Sequence, residues 1–352
     1  MPTLPPTLPD IATDPTTAAL EPRPARDADW PAICAGFAHA FTDARSPQVW
    51  DWRFQRHLGA AGSACWVTPA PDGSIAAFVG ASRHRGWLDG QDCNIWIGRD
   101  NYSHPRWRGS NAGRRGWYAR TDAAFLQASA TQATLCLGFG LARRVRLGQR
   151  LGISQPLTSG QWLACPVLPS DDSPGCAVLL QPARFADPIW DAFWQQRRPH
   201  IRAGICRDAA FLSWRFDPRQ GVDYHCLGIH SLQQDAPLGY LVWRVLPAAL
   251  DSPPALRHTG LQAVLVDAAL PPHHAQHAWA QALCVLRRLG VAQVLTFSTP
   301  GTPEHAQWPL LGFRPCPPPV DSQPLFRSFS PHLPAERLEA QYALTLADGD
   351  LF

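Results

Sequence analysis

The chain contains no lysine. Its 31 basic residues are all arginine, so no side chain can form a Schiff base and none can act as the phosphate-binding lysine of a P-loop. It has no C-x-x-C pair either. The ten cysteines (34, 65, 93, 136, 165, 176, 206, 226, 284 and 316) are scattered, and most lie in apolar, strand-like settings such as TLCLGF and YHCLGI, the pattern of reduced, buried thiols. No apolar run approaches the ~18–20 residues that span a bilayer. The opening MPTLPPTLPDIATDPTTAAL has neither a basic start nor a continuous apolar stretch, which leads us to expect no secretory signal, a disordered lead over residues 1–18, and a cytoplasmic protein. A net charge of +3 is too small to imply a nucleic-acid partner. His273-His274-x-x-His277 has helical ligand spacing, but it lacks the glutamate of a zinc-protease motif and other ligands nearby, so no metal site is expected.

What is present is a repeat. Trp52-Arg53-Phe54 recurs as Trp214-Arg215-Phe216, an offset of 214 − 52 = 162. Arg23-Pro24-Ala25-Arg26 answers Gln181-Pro182-Ala183-Arg184 at 181 − 23 = 158, and Leu151-Gly152-Ile153 answers Leu311-Gly312-Phe313 at 311 − 151 = 160. Periods of this length exceed those of solenoid repeats, so each copy is expected to be a domain, 19–168 and 177–352. The proline-rich stretch 165–175 reads as the linker between them, and 315–324 as a long loop.

Within each copy the pattern alternates. The first reads as a strand at Ala19–Pro24, a helix at Ala28–Phe41, strands at Ala64–Thr68 and Ile75–Arg83 joined by a Pro-Asp-Gly turn, and a strand at Asn94–Tyr102. A helix over Gly113–Ser129, a strand over Thr134–Gly138, a helix over Arg143–Leu151 and a closing strand at Gln161–Pro166 complete it. The second repeats the order with strands at 177–181, 224–230, 239–245, 261–267 and 293–298, helices at 187–196 and 274–289, and a last strand at Gln341–Leu346. This is an α/β arrangement: two tandem domains, each a mixed, mostly antiparallel sheet flanked by helices.

The segment from Trp107 to Gly116 follows a strand and opens a helix. Its small residues let backbone N–H groups approach a diphosphate, the helix start adds partial positive charge, and Arg106, Arg108, Arg114 and Arg115 can neutralise the remainder. The equivalent stretch Val264–His277 has no Arg-Gly and no glycine, so the first copy is the expected cofactor domain. Gly138-Phe-Gly140 is not a dinucleotide fingerprint, since Arg143 stands where the third glycine belongs.

PRPARDADWPAI, VWDWRFQRHLG, Asp100-Asn-Tyr-Ser-His104-Pro105-Arg-Trp-Arg108-Gly109 and LCLGFGLARRVRLGQRLGIS together resemble the GNAT (Gcn5-related N-acyltransferase) superfamily. RDAAFLSWRFDPRQGVDYH and YALTLADGDLF resemble the same branch again, so the likeness covers roughly residues 20–352. It implies an N-acyltransferase that moves an acyl group, acetyl in the first instance, from acyl-CoA to an amine of a small-molecule, cell-envelope or natural-product acceptor, with no metal. The alternatives are a donor carried on an acyl-carrier protein or aminoacyl-tRNA, and a non-catalytic acyl-CoA-binding protein. The resemblance places the diphosphate on Arg106, Arg108, Gly109, Ser110, Asn111, Ala112, Gly113 and Arg114, with Asn111 standing where the pattern has a small residue. It places the proton-handling groups at the end of the fourth strand, where Asp100, Tyr102 and His104 alternate. The following helix carries no tyrosine, the usual source of the group that protonates the thiolate.

Overall fold

The computed structural model describes residues 21–55, 62–108, 116–169, 177–233, 236–247 and 260–349. The expected disordered lead, the central part of the glycine-containing loop (109–115) and residues 170–175 of the expected linker lie outside these ranges. In chain order the first half contributes β1 (Arg23–Pro24), α1 (Trp30–Phe41), α2 (Pro47–Arg53), β2 (Ser63–Pro69), β3 (Ile75–Leu88), β4 (Gln91–Ser103), α3 (Trp117–Ser129), β5 (Leu135–Leu141), α4 (Ala142–Leu151), β6 (Gln155–Pro156) and β7 (Gln161–Pro166). The second contributes β8 (Val178–Pro182), α5 (Ile189–Arg197), β9 (Ala203–Ile205), α6 (Ala209–Arg215), β10 (His225–Ser231), β11 (Pro237–Pro247), β12 (Leu261–Ala269), α7 (Ala275–Arg288), β13 (Val291–Ser298), β14 (Arg314–Pro315), β15 (Ser322–Ser328) and α8 (Ala335–Gln341).

The strands form two mixed sheets, ordered β1-β2-β3-β4-β5-β15-β6, with β9 beside β3, and β14-β7-β13-β12-β11-β10-β8. Antiparallel pairing dominates; β4–β5 and β12–β13 are parallel. The fold class is therefore that expected from the sequence, with one exchange it did not reveal. Strand β7, expected to close the first sheet, pairs with β13 and β14 in the second. Strand β15, which overlaps the proline-rich stretch read as a loop, lies between β5 and β6. The expected final strand at 341–346 is instead the end of α8, a single bridge from Tyr342 to Ala203 and the start of a 3-10 turn.

By compactness the chain divides into one unit of Met1–Ala44, Cys65–Val79 and Asp100–Phe125, and another of Arg45–Ala64, Gly80–Arg99 and Leu126–Phe352. In the first, Thr68 and Thr121 share a buried hydroxyl contact of 2.6 Å, and Ala70, Ala76, Ala77 and Trp117 form a small apolar cluster. In the second, β12 is buried along nearly its whole length, as a strand covered on both faces must be. Leu265 and Ala263 pack with the buried face of α7 (Ala275, Ala278, Trp279, Ala282, Leu286), while Val264 and Val266 join Tyr240, Val242 and Phe297 in the larger core. None of the nine described cysteines is in a disulfide, and burial pushes the Cys206 and Cys226 thiols up to about 12.

The repeated Trp-Arg-Phe triplets lie at the ends of the two short helices α2 and α6, capped at their starts by Ser46 and Asp208. They meet each other. The Trp52 indole N–H donates to the Trp214 carbonyl at 2.6 Å, and the Trp214 indole donates to the Trp52 carbonyl at 2.9 Å. The rings stack at 5.2 Å between centroids and 21° between planes. Each carbonyl also takes a backbone amide from just past its helix, Gln55 to Trp52 at 3.1 Å and Asp217 to Trp214 at 3.4 Å, so the indole is a further donor on an already turned helix end. The contact is reciprocal, residue for residue, as in a two-fold interface.

Beside this pair, the His84 ring lies 4.4 Å from that of Trp214, and its Nε2 contacts Ser82 Oγ at 2.8 Å. Ser82 Oγ also accepts from Arg99 Nε at 3.1 Å. Burial first, then the charges of Arg99, Arg207 and Arg215, push the imidazole well below its ordinary range. The folded chain refuses a proton that the unfolded chain accepts, so stability rises with pH in this window. It is expected to fall as pH drops below about 6.5, by about 1.4 kcal/mol per unit until His84 protonates; denaturant titrations between pH 7 and 5 should show a shallower slope for His84→Gln. Trp52→Phe and Trp214→Phe, which keep a ring and remove the donor, should each cost about 1–2 kcal/mol, and the double variant less than the sum. Fully additive costs in the same titrations would show that the pair is not coupled.

Candidate active site

Strand β4 pairs with β5 over only three residues, Ile95–Ile97 against Leu135–Leu137. The next residues are glycines on both strands. A Cβ built on Gly138 would lie 2.9 Å from the Gly98 carbonyl oxygen, so the backbones pass too closely for a side chain there. Two residues on, Asp100 adopts a left-handed conformation with φ +52°. Aspartate tolerates this better than most residues, at a cost of about 1–2 kcal/mol. Strand β4 continues through Ser103, with Tyr102 buried and Asp100 and His104 half-buried.

Tyr102 is buried against α1. Its hydroxyl donates to the Ile33 carbonyl at 3.0 Å, its ring lies 5.8 Å from Phe78, and a Cβ on Gly36 would lie 2.3 Å from its oxygen. Burial raises its hydroxyl far above the usual tyrosine range. His104 lies just past the strand, where it caps the turn Pro105–Trp107 by accepting the Arg106 amide at Nδ1 over 3.3 Å. Its own amide donates to Ala76 at 2.9 Å. Burial, and next the neighbouring His39, push its imidazole below the ordinary value. The ring of His39, on α1, is 5.3 Å from that of His104.

Arg106 pairs with Asp72 at 2.6 Å, and Arg108 donates from Nε to the Ser103 carbonyl at 2.9 Å; both arginines are exposed. Asp72 itself is held below the usual carboxylate range first by the Ser74 hydroxyl and amide, with Arg106 adding to them. Gly109, Ser110, Asn111, Ala112, Gly113 and Arg114 lie outside the described residues. Among the described residues no group of three or more His, Cys, Asp or Glu side chains is placed to hold a metal ion, and no helix is long and apolar enough to cross a membrane.

The other parallel pair, β12–β13, lies in the second half and has different contents. The β12–β13 ladder runs from Leu261 to Leu265. Past it β12 bulges at Val266, since Val242 faces Asp267 while Trp243 faces Leu265. The chain's own tail fills this fork. Thr299, just beyond β13, donates its hydroxyl to the Tyr342 carbonyl at 2.6 Å and accepts the Leu344 amide at 3.0 Å. On the β12 side, the Thr345 hydroxyl donates to Asp267 at 2.9 Å.

Arg207 clamps the assembly with all five N–H groups. Nε donates to Asp267 at 2.9 Å, Nη1 to Asp348 at 2.8 Å and the Ile205 carbonyl at 3.3 Å, and Nη2 to Asp348 at 2.9 Å and Thr345 at 3.0 Å. Tyr240 donates to Asp267 at 3.0 Å. One buried guanidinium thus faces two buried carboxylates, and burial pushes Asp348 up against the opposing pull of Arg207. Sequence reasoning noted Asp267 but missed Arg207, Asp348 and His39. The hint for the clamp was the polar LADGD run inside an otherwise apolar tail; an isolated histidine in FAHAF offered none.

Two solved structures share this fold. One is a GCN5-related N-acetyltransferase from Anabaena variabilis ATCC 29413, with a TM-score of 0.65 and 13% identity over 88% of this chain and 73% of that one. The other is a conserved protein of unknown function from Enterococcus faecalis V583, described as a probable N-acyltransferase, with a TM-score of 0.62 and 13% identity over 88% of this chain and 72% of that one. No family model and no curated protein matches the chain. At this identity the likeness is one of fold: a mixed α/β fold of the GCN5-related acetyltransferase type.

Arg207→Met would leave Asp267 and Asp348 buried without their cation. A loss of about 3–5 kcal/mol is expected, with faster amide hydrogen exchange over 342–349 than elsewhere in the chain. A cost below 1 kcal/mol in denaturant titration would show that the tail is held by its apolar residues instead.

Proposed function

We propose that the chain is an N-acyltransferase that moves an acyl group, acetyl in the simplest case, from acyl-CoA to an amine of a small-molecule acceptor. Its chemistry belongs to the first copy, residues 19–168, and the second, 177–352, is a supporting copy. The observation that carries the reading is strand β4: its ladder with β5 ends at facing glycines, it turns left-handed at Asp100, and it runs straight into the arginine-bearing segment before α3. The fold shared with the Anabaena N-acetyltransferase supports the reaction class. The filled fork of the second copy, and its lack of an Arg-Gly segment, support assigning a single donor site.

Arg106 and Arg108 are exposed and can offer charge-assisted bonds to the diphosphate of the donor. Residues Gly109 to Arg114 are proposed to complete that cradle through backbone N–H groups. Bound acyl-CoA would supply an activated thioester carbonyl. The chain's part is then to accept protons from the amine and to exclude water. Asp100 is assigned the carboxylate role, and His104 that of a neutral imidazole at the strand end. Tyr102, whose hydroxyl already serves Ile33, is assigned to hold β4 on α1 rather than to protonate the thiolate.

Calorimetry with CoA should find one equivalent bound per chain, and mass spectrometry should find acylated product from a panel of acyl-CoAs and amines. Arg108→Glu should weaken CoA binding by roughly 10–100-fold, the equivalent of ~1.5–3 kcal/mol for a charge-assisted contact. Asp100→Asn should lower kcat by ~10²–10⁴-fold with CoA affinity little changed. Two bound equivalents, or no binding, would defeat the assignment; transfer only from a carrier-protein or aminoacyl-tRNA donor would redirect it.

A further inference from the structure

His39 and His104 face each other with planes inclined at 50°, and the backbone fixes the proton on each ring. Nδ1 of His39 lies 2.7 Å from the Ala35 carbonyl oxygen. A carbonyl only accepts, so the proton is on Nδ1, and the bare nitrogen of the neutral ring is Nε2. Nδ1 of His104 accepts the Arg106 amide, so neutral His104 carries its proton on Nε2. The two rings are opposite tautomers: one presents an acceptor at Nε2, the other a donor. His39 is exposed, whereas His104 is partly buried. Besides His39, the charged groups around His104 are Asp72, which favours its protonated form, and Arg106 and Arg108, which oppose it. In the neutral His104 ring the Nδ1 lone pair is taken by the Arg106 amide and Nε2 carries the proton, so it has no free lone pair to offer, which leaves His39 with the available base nitrogen.

Resting on the acyltransferase reading, we propose that Nε2 of His39 takes the first proton from the acceptor's ammonium group, with His104 as its positioning residue. The reaction requires two proton removals from nitrogen. An ammonium R–NH3+ becomes an amide N–H as the N–C bond forms and the C–S bond breaks; one proton ends on the departing thiolate and one in solvent. His39 accepts the solvent-bound proton before attack, so that the N–H electron pair stays on nitrogen as the nucleophile, and its exposed ring passes that proton to water. Asp100 takes the second proton as the N–C bond forms and hands it to the thiolate as the C–S bond breaks.

Long-range ¹H–¹⁵N correlation spectra of the whole protein at alkaline pH should show His39 as the Nδ1–H tautomer and His104 as Nε2–H. His39→Gln should lower kcat/KM by roughly 10²-fold at neutral pH with unchanged CoA affinity. That deficit should shrink as the pH approaches the pKa of the acceptor amine, because an amine already deprotonated in solution does not need this base. An Nε2–H tautomer at His39, a pH-independent deficit, or no deficit would each overturn this assignment alone. Wild-type protein that acylates no amine in the panel would overturn the acyltransferase reading together with it.

Discussion

The reciprocal bond between Trp52 and Trp214 organises much of the larger unit. A short helix of seven residues is marginal by itself, because its unpaired end groups outnumber its internal bonds. Here α2 and α6 each end on a carbonyl that takes the other's indole. Two elements that would fray in isolation become one rigid joint, and His84, Ser82 and Arg99 are packed against it. The same triplet occurs twice in the sequence, and the hydrogen-bond geometry uses the tryptophan of both.

Cations inside this protein are all arginines, and they are used as multidentate clamps. Arg207 satisfies five donors at once, and Arg215 donates to the Ala347 carbonyl and the Tyr224 hydroxyl while lying over two rings. A guanidinium spreads its charge and is weakly hydrated, so it can be buried where an ammonium could not. The second copy uses this to convert a fork between parallel strands into a socket for the chain's own tail. The parallel pair β4–β5 carries facing glycines and a left-handed aspartate beyond its ladder, so the two parallel strand pairs serve different ends.

Much of this was legible in the sequence. Long periodic elements announced themselves: α1, α4 and α7 through their apolar spacing, and the β2–β3 hairpin through its Pro-Asp-Gly turn, where Gly73 has φ +81°. The seven-residue helices α2 and α6 were too short to show a period. Strand β15 was hidden by its proline; Pro324 has no N–H to give and is tolerated because the neighbour β6 is only two residues long. Partner choice was not legible at all, since the pattern of β7 says that it is a strand but not which sheet receives it. At the candidate site, Asp100 and His104 were visible as chemistry-bearing types at a strand end. His39 was not, because its meaning depends on a ring 65 positions away in sequence, and a single exposed histidine on a helix carries no signal.

The exchange of β7 and β15 also constrains how the chain can be made. During synthesis, residues 161–166 leave the ribosome long before β13, the strand they pair with, exists. The first sheet likewise waits for residues 322–328 before β5 and β6 gain the strand between them. Neither half of the chain can therefore complete its sheet as an independent co-translational unit, although domains of this size usually fold one after the other from the N-terminus. For most of translation the nascent protein carries open strand edges, and the final cooperative step comes only when the last third of the chain has emerged.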